Sequence, residues 1–193
     1  MGDGDRIVSS EDELLILVDA DDAATGTLDK AACHDGGGVL HRAFSLFVFD
    51  GDGCLLLQQR SAAKRLWPLY WSNSCCSHPR AGETMEAATA RRLKDELNIR
   101  SELEFVYKFT YRASYGRLGA EHELCWVYVG RTNESVVPNR NEIAATRFLS
   151  ADDLRRALAT EPESFTPWFK LEWQRLERDH PDLLGKYLSA SSL

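Results

Sequence analysis

No apolar run in this 193-residue chain approaches the length needed to cross a bilayer, so no membrane span is expected. No segment repeats, and neither a low-complexity tract nor an internal linker divides it. Positive charge is short as well: 23 Lys+Arg stand against 30 Asp+Glu, a net charge of −7, which argues against nucleic-acid or anionic-membrane partners. An anionic substrate would then need a local basic cluster. The start, MGDGDRIVSSEDE, carries acidic residues where a secretory signal carries basic ones, and a cytoplasmic location is expected. The five cysteines, Cys33, Cys54, Cys75, Cys76 and Cys125, are odd in number and irregularly placed; that suits a reducing compartment better than a disulfide framework.

What is present, 44% hydrophobic residues, suffices for one sizeable core. We expect a single domain: residues 1–24 as an N-terminal extension with the first strand, 25–170 as the main body, and 171–193 as a C-terminal helix and tail. Residues 1–13 are polar and acidic and expected to be mobile. Leu14 to Val18 is a β-prone run ending in the turn-rich DADDAATG. A short helix near Asp29 to Cys33 precedes the glycine triplet Gly36 to Gly38. His41 to Asp50 and Cys54 to Gln59 flank Gly51-Asp52-Gly53 as a hairpin. Ala90, Leu93 and Leu97 are helically spaced, predicting a helix over 85–97 that Asn98 can close. Strands follow at about 103–113, 121–129 and 146–149. Ser150 with Asp153 caps a helix over 151–159, and Thr166-Pro167 opens a last one. Hairpins mixed with separated helices predict an α/β fold, a mixed sheet covered by helices.

The segment WPLYWSNSCCSHPRAGE is unusual. If it is extended, Cys76 and His78 project to one side and Cys75 to the other; Glu121 and Glu123 in AEHELCW share the same two-residue relation. Imidazole and carboxylate together serve a divalent cation, and the chain offers His34, His41, His78, Glu121 and Glu123. Spacing alone does not select this set, since a histidine is more often a packed or surface residue and a glutamate pair on a strand is often a solvated face.

From about Thr25 to Phe169 the chain resembles the type I isopentenyl diphosphate isomerases, through GTLDKAACH, LHRAFSLFVFD, WSNSCCSHPRAGE, FTYRAS, EHELC and FTPWF in family order. The resemblance implies a Nudix-type fold and interconversion of isopentenyl and dimethylallyl diphosphates in isoprenoid biosynthesis, by protonation and deprotonation through a tertiary carbocation. It implies one protein-bound divalent metal (zinc, manganese or magnesium) on His34, His41, His78, Glu121 and Glu123. A second, substrate-borne magnesium would sit at Glu96 and Cys76. Catalysis would fall to Cys76 and Glu123, aided by Tyr111 and by Trp168, whose π face can stabilise a cation. The diphosphate would be met by Lys30, Arg60, Lys64 and Arg92. The implied partner is a small prenyl diphosphate, and the protein is expected to be monomeric.

Those isomerases are similar in fold to the Nudix hydrolases, whose box G-x5-E-x7-R-E-U-x-E-E-x-G-U falls on Ser77, Glu83, Arg91, Arg92, Leu93, Asp95, Glu96, Asn98 and Ile99. Both glycines are replaced, and Arg92 stands where the first glutamate of the catalytic helix would be. A hydrolase gathering several cations on carboxylates would lose a ligand and gain a positive charge there. The alternative reading, a Nudix pyrophosphohydrolase acting on a small diphosphate, is disfavoured on that ground.

Overall fold

A computed structural model describes residues 6–188 of the chain. Its centre is the strand β3 (His41–Phe49), which runs parallel to β8 (Ala120–Arg131) from His41↔Glu123 to Phe49↔Arg131. The other edge of β3 is shared by three strands in turn. β1 (Leu14–Val18) meets it at His41, β6 (Cys75–Ser77) over Phe44 to Leu46, and β4 (Leu55–Arg60) at Phe49. β2 (Ala24–Asp29), β5 (Trp71–Ser72), β7 (Glu102–Ser114) and β9 (Ile143–Leu149) extend the mixed sheet on β1, β4, β8 and β4 respectively.

Side chains alternate across a strand, and β3 is apolar on both faces, as a strand covered on both sides must be. Phe44, Leu46 and Val48 pack under α2 (Met85–Leu97) with Leu93 and Leu97, while Phe47 packs on the other face with Phe169 and Trp173 of α4 (Pro167–Asp179). These phenylalanines and leucines are fully buried, and each such burial stabilises by about 1.5–3 kcal/mol. Ser45 and, at the start of the strand, His41 are the buried polar residues on the α4 face of β3.

The helix expected over 85–97 has those bounds; Thr84 Oγ1 accepts from Ala87 N at 3.2 Å, and Asn98 closes it in the left-handed conformation with φ of 56°. α3 (Ala151–Thr160) is capped by Ser150, which accepts from Asp153 N. Pro167 opens α4, but the hydroxyl of its N-cap Thr166 bonds Ser72 Oγ at 3.0 Å rather than the helix. α1 (Lys30–His34) and α5 (Pro181–Gly185) are single-turn pieces.

Three features differ from expectation. The DADDAATG segment is a turn only up to Ala23, after which the chain pairs back on β1 as β2, held by Asp22, whose carboxylate takes Arg42 Nε, Lys108 Nζ and Trp126 Nε1. Residues 6–13 are not loose: Val8 is buried, and Glu11 and Glu13 carbonyls accept from Ala31 N and Lys30 N. Residues 1–5 lie outside the described part. Lastly, the hairpin at 51–53 exists, but β4 leaves β3 after one pair and runs along β9 instead.

Candidate functional site

The first residue of β3 and the fourth of β8, in parallel register, place His41 and Glu123 side by side. α1 ends at His34, and the glycine loop then folds against the β7–β8 hairpin. Two glycines permit this approach: a Cβ on Gly119 (φ of 151°) would lie 2.3 Å from the His34 carbonyl oxygen, and one on Gly38 (φ of 74°) would lie 3.1 Å from Ala120 O. β6 continues into His78. The result is that ligand atoms of His34, His41, His78, Glu121 and Glu123 all lie within 4.8 Å of one another.

His34 Nε2 is 2.9 Å from Glu121 Oε2, His78 Nε2 is 2.9 Å from Glu123 Oε1, and His41 Nε2 is 3.7 Å from that oxygen. His41 Nδ1 faces Val39 O at 2.7 Å, so that nitrogen donates and Nε2 is the atom turned into the cluster; burial works against the charged imidazole, but Glu123 and the Val39 carbonyl outweigh it and raise His41. Burial pushes His78 down to about 4 against the pull of Glu123, which leaves its imidazole neutral. Burial would raise both glutamates, but the imidazoles outweigh it, and Glu123 is held well below the usual carboxylate range. His34 Nε2, His41 Nε2 and Glu121 Oε2 are buried and make no aligned hydrogen bond, the close His34–Glu121 pair being an ion contact without hydrogen-bond geometry. Buried polar atoms that converge with no partner of their own are a costly arrangement unless a cation meets them. The five residues thus could hold a metal ion, and the donor set fits one.

Glu123 also accepts from Tyr111 Oη at 2.6 Å, its antiparallel register partner across β7–β8. Burial and the Glu123 charge raise the Tyr111 phenol well above 10, so it stays a donor. Cys76 lies on the face of β6 opposite Cys75, as alternation requires. Cys76 lines the same cavity as Glu123 and Tyr111, whereas Cys75 is turned to Glu96 on α2, its Sγ 3.5 Å from Oε1. Burial pushes the Cys76 thiol up to about 12, only partly offset by Arg60. Trp168, in the first turn of α4, is fixed by its Nε1 donating to Ser72 Oγ at 3.0 Å, and Trp67 meets its ring edge-on at 5.2 Å.

Lys30, Arg60, Lys64 and Arg92 line this cavity too. They converge from α1, β4, the turn after it and α2, giving a basic cluster in a chain that is acidic overall. Arg60 donates to the carbonyls of Leu66 and Trp67 and rests 5.2 Å over Trp168. Arg92 donates to Glu96 Oε1 from Nε at 2.9 Å and to Val8 O from Nη1 at 2.8 Å. His41 and Glu96 are the two expected residues that do not line the cavity. His41 is the fully buried member of the His–Glu cluster, and Glu96 lies behind Arg92 with its second oxygen taking Gln58 Nε2 at 3.3 Å.

Several participants were not foreseen. Ser9 and Glu11 reach the cavity from the N-terminal segment, Ser9 Oγ accepting from Lys30 Nζ at 2.7 Å and Glu11 pairing with it at 3.3 Å. Glu142 pairs with Lys64 and, at 3.5 Å, with Arg92. Glu172, one turn after Trp168, is fully buried beside Cys125 Sγ at 3.5 Å, and burial pushes it up to about 8. A lone glutamate in a loop or helix has no local pattern that would betray such contacts.

The NUDIX domain model matches residues 39–169. Isopentenyl-diphosphate Delta-isomerase 1 of Photorhabdus laumondii is 41% identical over 89% of this chain and 99% of its own length. The isopentenyl-diphosphate Delta-isomerase of Burkholderia multivorans is 44% identical over 82% of this chain and 89% of its own. Among solved structures, DR0079 from Deinococcus radiodurans covers 77% of this chain and 90% of its own at 23% identity, with a TM-score of 0.63. At that identity the likeness concerns the fold alone.

Proposed function

The chain belongs to the NUDIX family and, within it, to the isopentenyl-diphosphate Delta-isomerases, and from that membership we infer that it interconverts isopentenyl diphosphate and dimethylallyl diphosphate. The observation that carries the reading is that one cavity holds a thiol, a carboxylate bonded to a phenol, and five cationic side chains, the expected four and Arg65.

Moving a double bond in an alkyl diphosphate adds a proton at one carbon and removes one from another, leaving the diphosphate intact. An alkene is a very poor base, so the acid must be well placed in a pocket poor in water. In this reading Cys76 and Glu123 face the hydrocarbon part, one giving and one taking the proton, with roles that reverse with direction. Tyr111 keeps Glu123 in place and can pass a proton through its short hydrogen bond. The tertiary carbocation formed between the two transfers is stabilised by the π face of Trp168. Lys30, Arg60, Lys64 and Arg92 bind the diphosphate, which holds the reacting carbons between the two proton-handling groups.

A divalent ion on His34, His41, His78, Glu121 and Glu123 would fix the geometry of Glu123 and tune its acidity. Three imidazoles and two carboxylates suit zinc or manganese better than magnesium. A magnesium ion carried by the diphosphate would be met by Glu96 and Cys76; Glu96 lies behind Arg92 on the Cys75 side of β6 and would have to loosen its hold on Arg92 to take part. The same reading treats residues 25–170 as the catalytic body, 1–24 and 171–193 as parts of one domain, and the protein as a cytoplasmic monomer. Among the described residues no helix is long and apolar enough to cross a membrane.

Pyrophosphate hydrolysis fits less well, because the carboxylate that would gather cations on α2 is replaced by Arg92, and Glu96 is already engaged by it. Incubating the protein with isopentenyl diphosphate and magnesium separates the two. Dimethylallyl diphosphate without inorganic phosphate is expected; phosphate without isomer would overturn the assignment. Metal analysis of protein purified without chelator addresses the ion, with about one zinc or manganese per chain expected.

A further inference from the structure

Glu142 sits just before β9 in a turn that two neighbours fix. Its backbone carbonyl accepts from Ser61 N at 2.9 Å, in the turn that carries Lys64, and its N–H donates to Asn139 O at 3.0 Å. Asn139 in turn donates its N–H to Glu96 O at 2.8 Å, at the end of the helix that carries Arg92. The carboxylate therefore stands between two elements, each of which supplies one cation to the cavity. Its Oε2 contacts both Lys64 Nζ and Arg92 Nη2, and its side chain is only 4% exposed.

We propose that Glu142 is a positioning residue for the diphosphate, a buried carboxylate that binds the Lys64 ammonium and the Arg92 guanidinium into one anion-binding pair. The proposal rests on the reading that these two cations meet the diphosphate. Two like charges brought together away from water repel, and the arrangement persists only if a fixed anion lies behind them. Glu96 backs Arg92 but is not paired with Lys64, and Glu11 does not fill the role either, since its side chain is 52% exposed at the mouth of the cavity and can be displaced by an arriving diphosphate. Glu142 is outside the cavity lining and stays in place when substrate enters. Its influence reaches Lys30 as well: burial and the Lys64 charge push the Lys30 ammonium down, opposed mainly by Glu11 and to a lesser extent by Glu142. Burial would raise the Glu142 carboxyl itself, but Lys64 and Arg92 outweigh it and hold it below the usual range, so it is an anion wherever the enzyme works.

The test measures kcat and KM for isopentenyl diphosphate, and inhibition by inorganic pyrophosphate, in Glu142→Gln, Glu142→Asp, Lys64→Gln and the Glu142→Gln/Lys64→Gln double variant. Glu142→Gln is expected to raise KM and weaken pyrophosphate about ten-fold, with a smaller effect on kcat, the signature of lost ground-state binding. Glu142→Asp, which keeps the charge on a shorter arm, should fall between wild type and Gln. Because Glu142 acts in part through Lys64 and in part through Arg92, the two effects should combine in the double variant to clearly less than their product, whereas a merely structural role would make them multiply. Wild-type pyrophosphate binding by Glu142→Gln, or multiplying effects, would overturn the proposal. Should the glutamine variant fail to fold, the aspartate variant decides, and wild-type pyrophosphate binding there would overturn it equally. If Lys64→Gln leaves both constants untouched, it is the underlying assignment of Lys64 to the diphosphate that falls.

Discussion

Cys75 and Cys76 are neighbours with the same thiol and opposite surroundings, one turned to Glu96 under α2 and the other lining the cavity with Glu123. Cys76→Ala should lower kcat by about a thousand-fold or more, as loss of a proton-handling group does, while Cys75→Ala keeps turnover and costs about 1–2 kcal/mol of stability. Steady-state rates and thermal unfolding of the two variants check this; a dead Cys75→Ala beside an active Cys76→Ala would reverse the assignment. Glu172 offers a pH test of another kind. Burial raises its carboxyl from 4.5 to about 8, so between those values the folded chain holds a proton that the unfolded chain has released. Its contribution is therefore fully present below the lower value, declines by about 1.4 kcal/mol for every pH unit crossed between the two, and is lost above the higher one. Glu172→Gln cannot titrate, and its melting temperature should fall less between pH 6 and 9 than that of the parent; equal slopes would contradict the placement. His34, His41, His78, Glu121 and Glu123 were nameable from the sequence because family blocks carry them. Glu142 and Glu172 were not, because each is a single carboxylate whose meaning lies in partners at least 47 positions away, or 50 in the case of Arg92.

At the scale of elements, the cluster depends on the close approach of α1 to the β7–β8 hairpin. Gly119→Ala places a methyl 2.3 Å from His34 O, so the end of α1 must move. The variant should lose about 2 kcal/mol or more and retain less metal than wild type after gel filtration, measured by elemental analysis. Full metal retention at wild-type stability would mean that the approach does not matter. α2 was legible because thirteen residues carry helical spacing and are followed by an asparagine able to take φ of 56°, while its Thr84 cap was not singled out. The tiny strands β5 and β6 were not, since two or three residues show no period, and β2 was hidden by turn-forming composition. The acidic segment at 6–13 looked mobile for the same compositional reason, yet it answers a local excess of positive charge at Lys30 and Arg92 that only the folded chain creates.

For the whole molecule, the NUDIX match over residues 39–169 and the likeness to DR0079 give the scaffold, and the relatives are the ground on which the reaction is proposed. The sheet with helices on both faces was expected from the mixture of hairpins and separated helices. Which edge of β3 each strand would use was not, because four strands compete for it and long-range pairing decides. Chelation of the metal should destabilise the protein as well as silence it, because removal leaves buried histidine and glutamate atoms unmatched. Differential scanning calorimetry with and without chelator should show a lower melting temperature, restored by zinc or manganese; an unchanged transition would argue against a resident ion. The central claim is that a solvent-equilibrated acid in this cavity protonates the alkene while the diphosphate stays whole. Isopentenyl diphosphate turned over in heavy water with magnesium and followed by NMR tests it directly. Dimethylallyl diphosphate carrying deuterium in its newly formed methyl group is the predicted result, and isomer without solvent deuterium, or inorganic phosphate in its place, would contradict it.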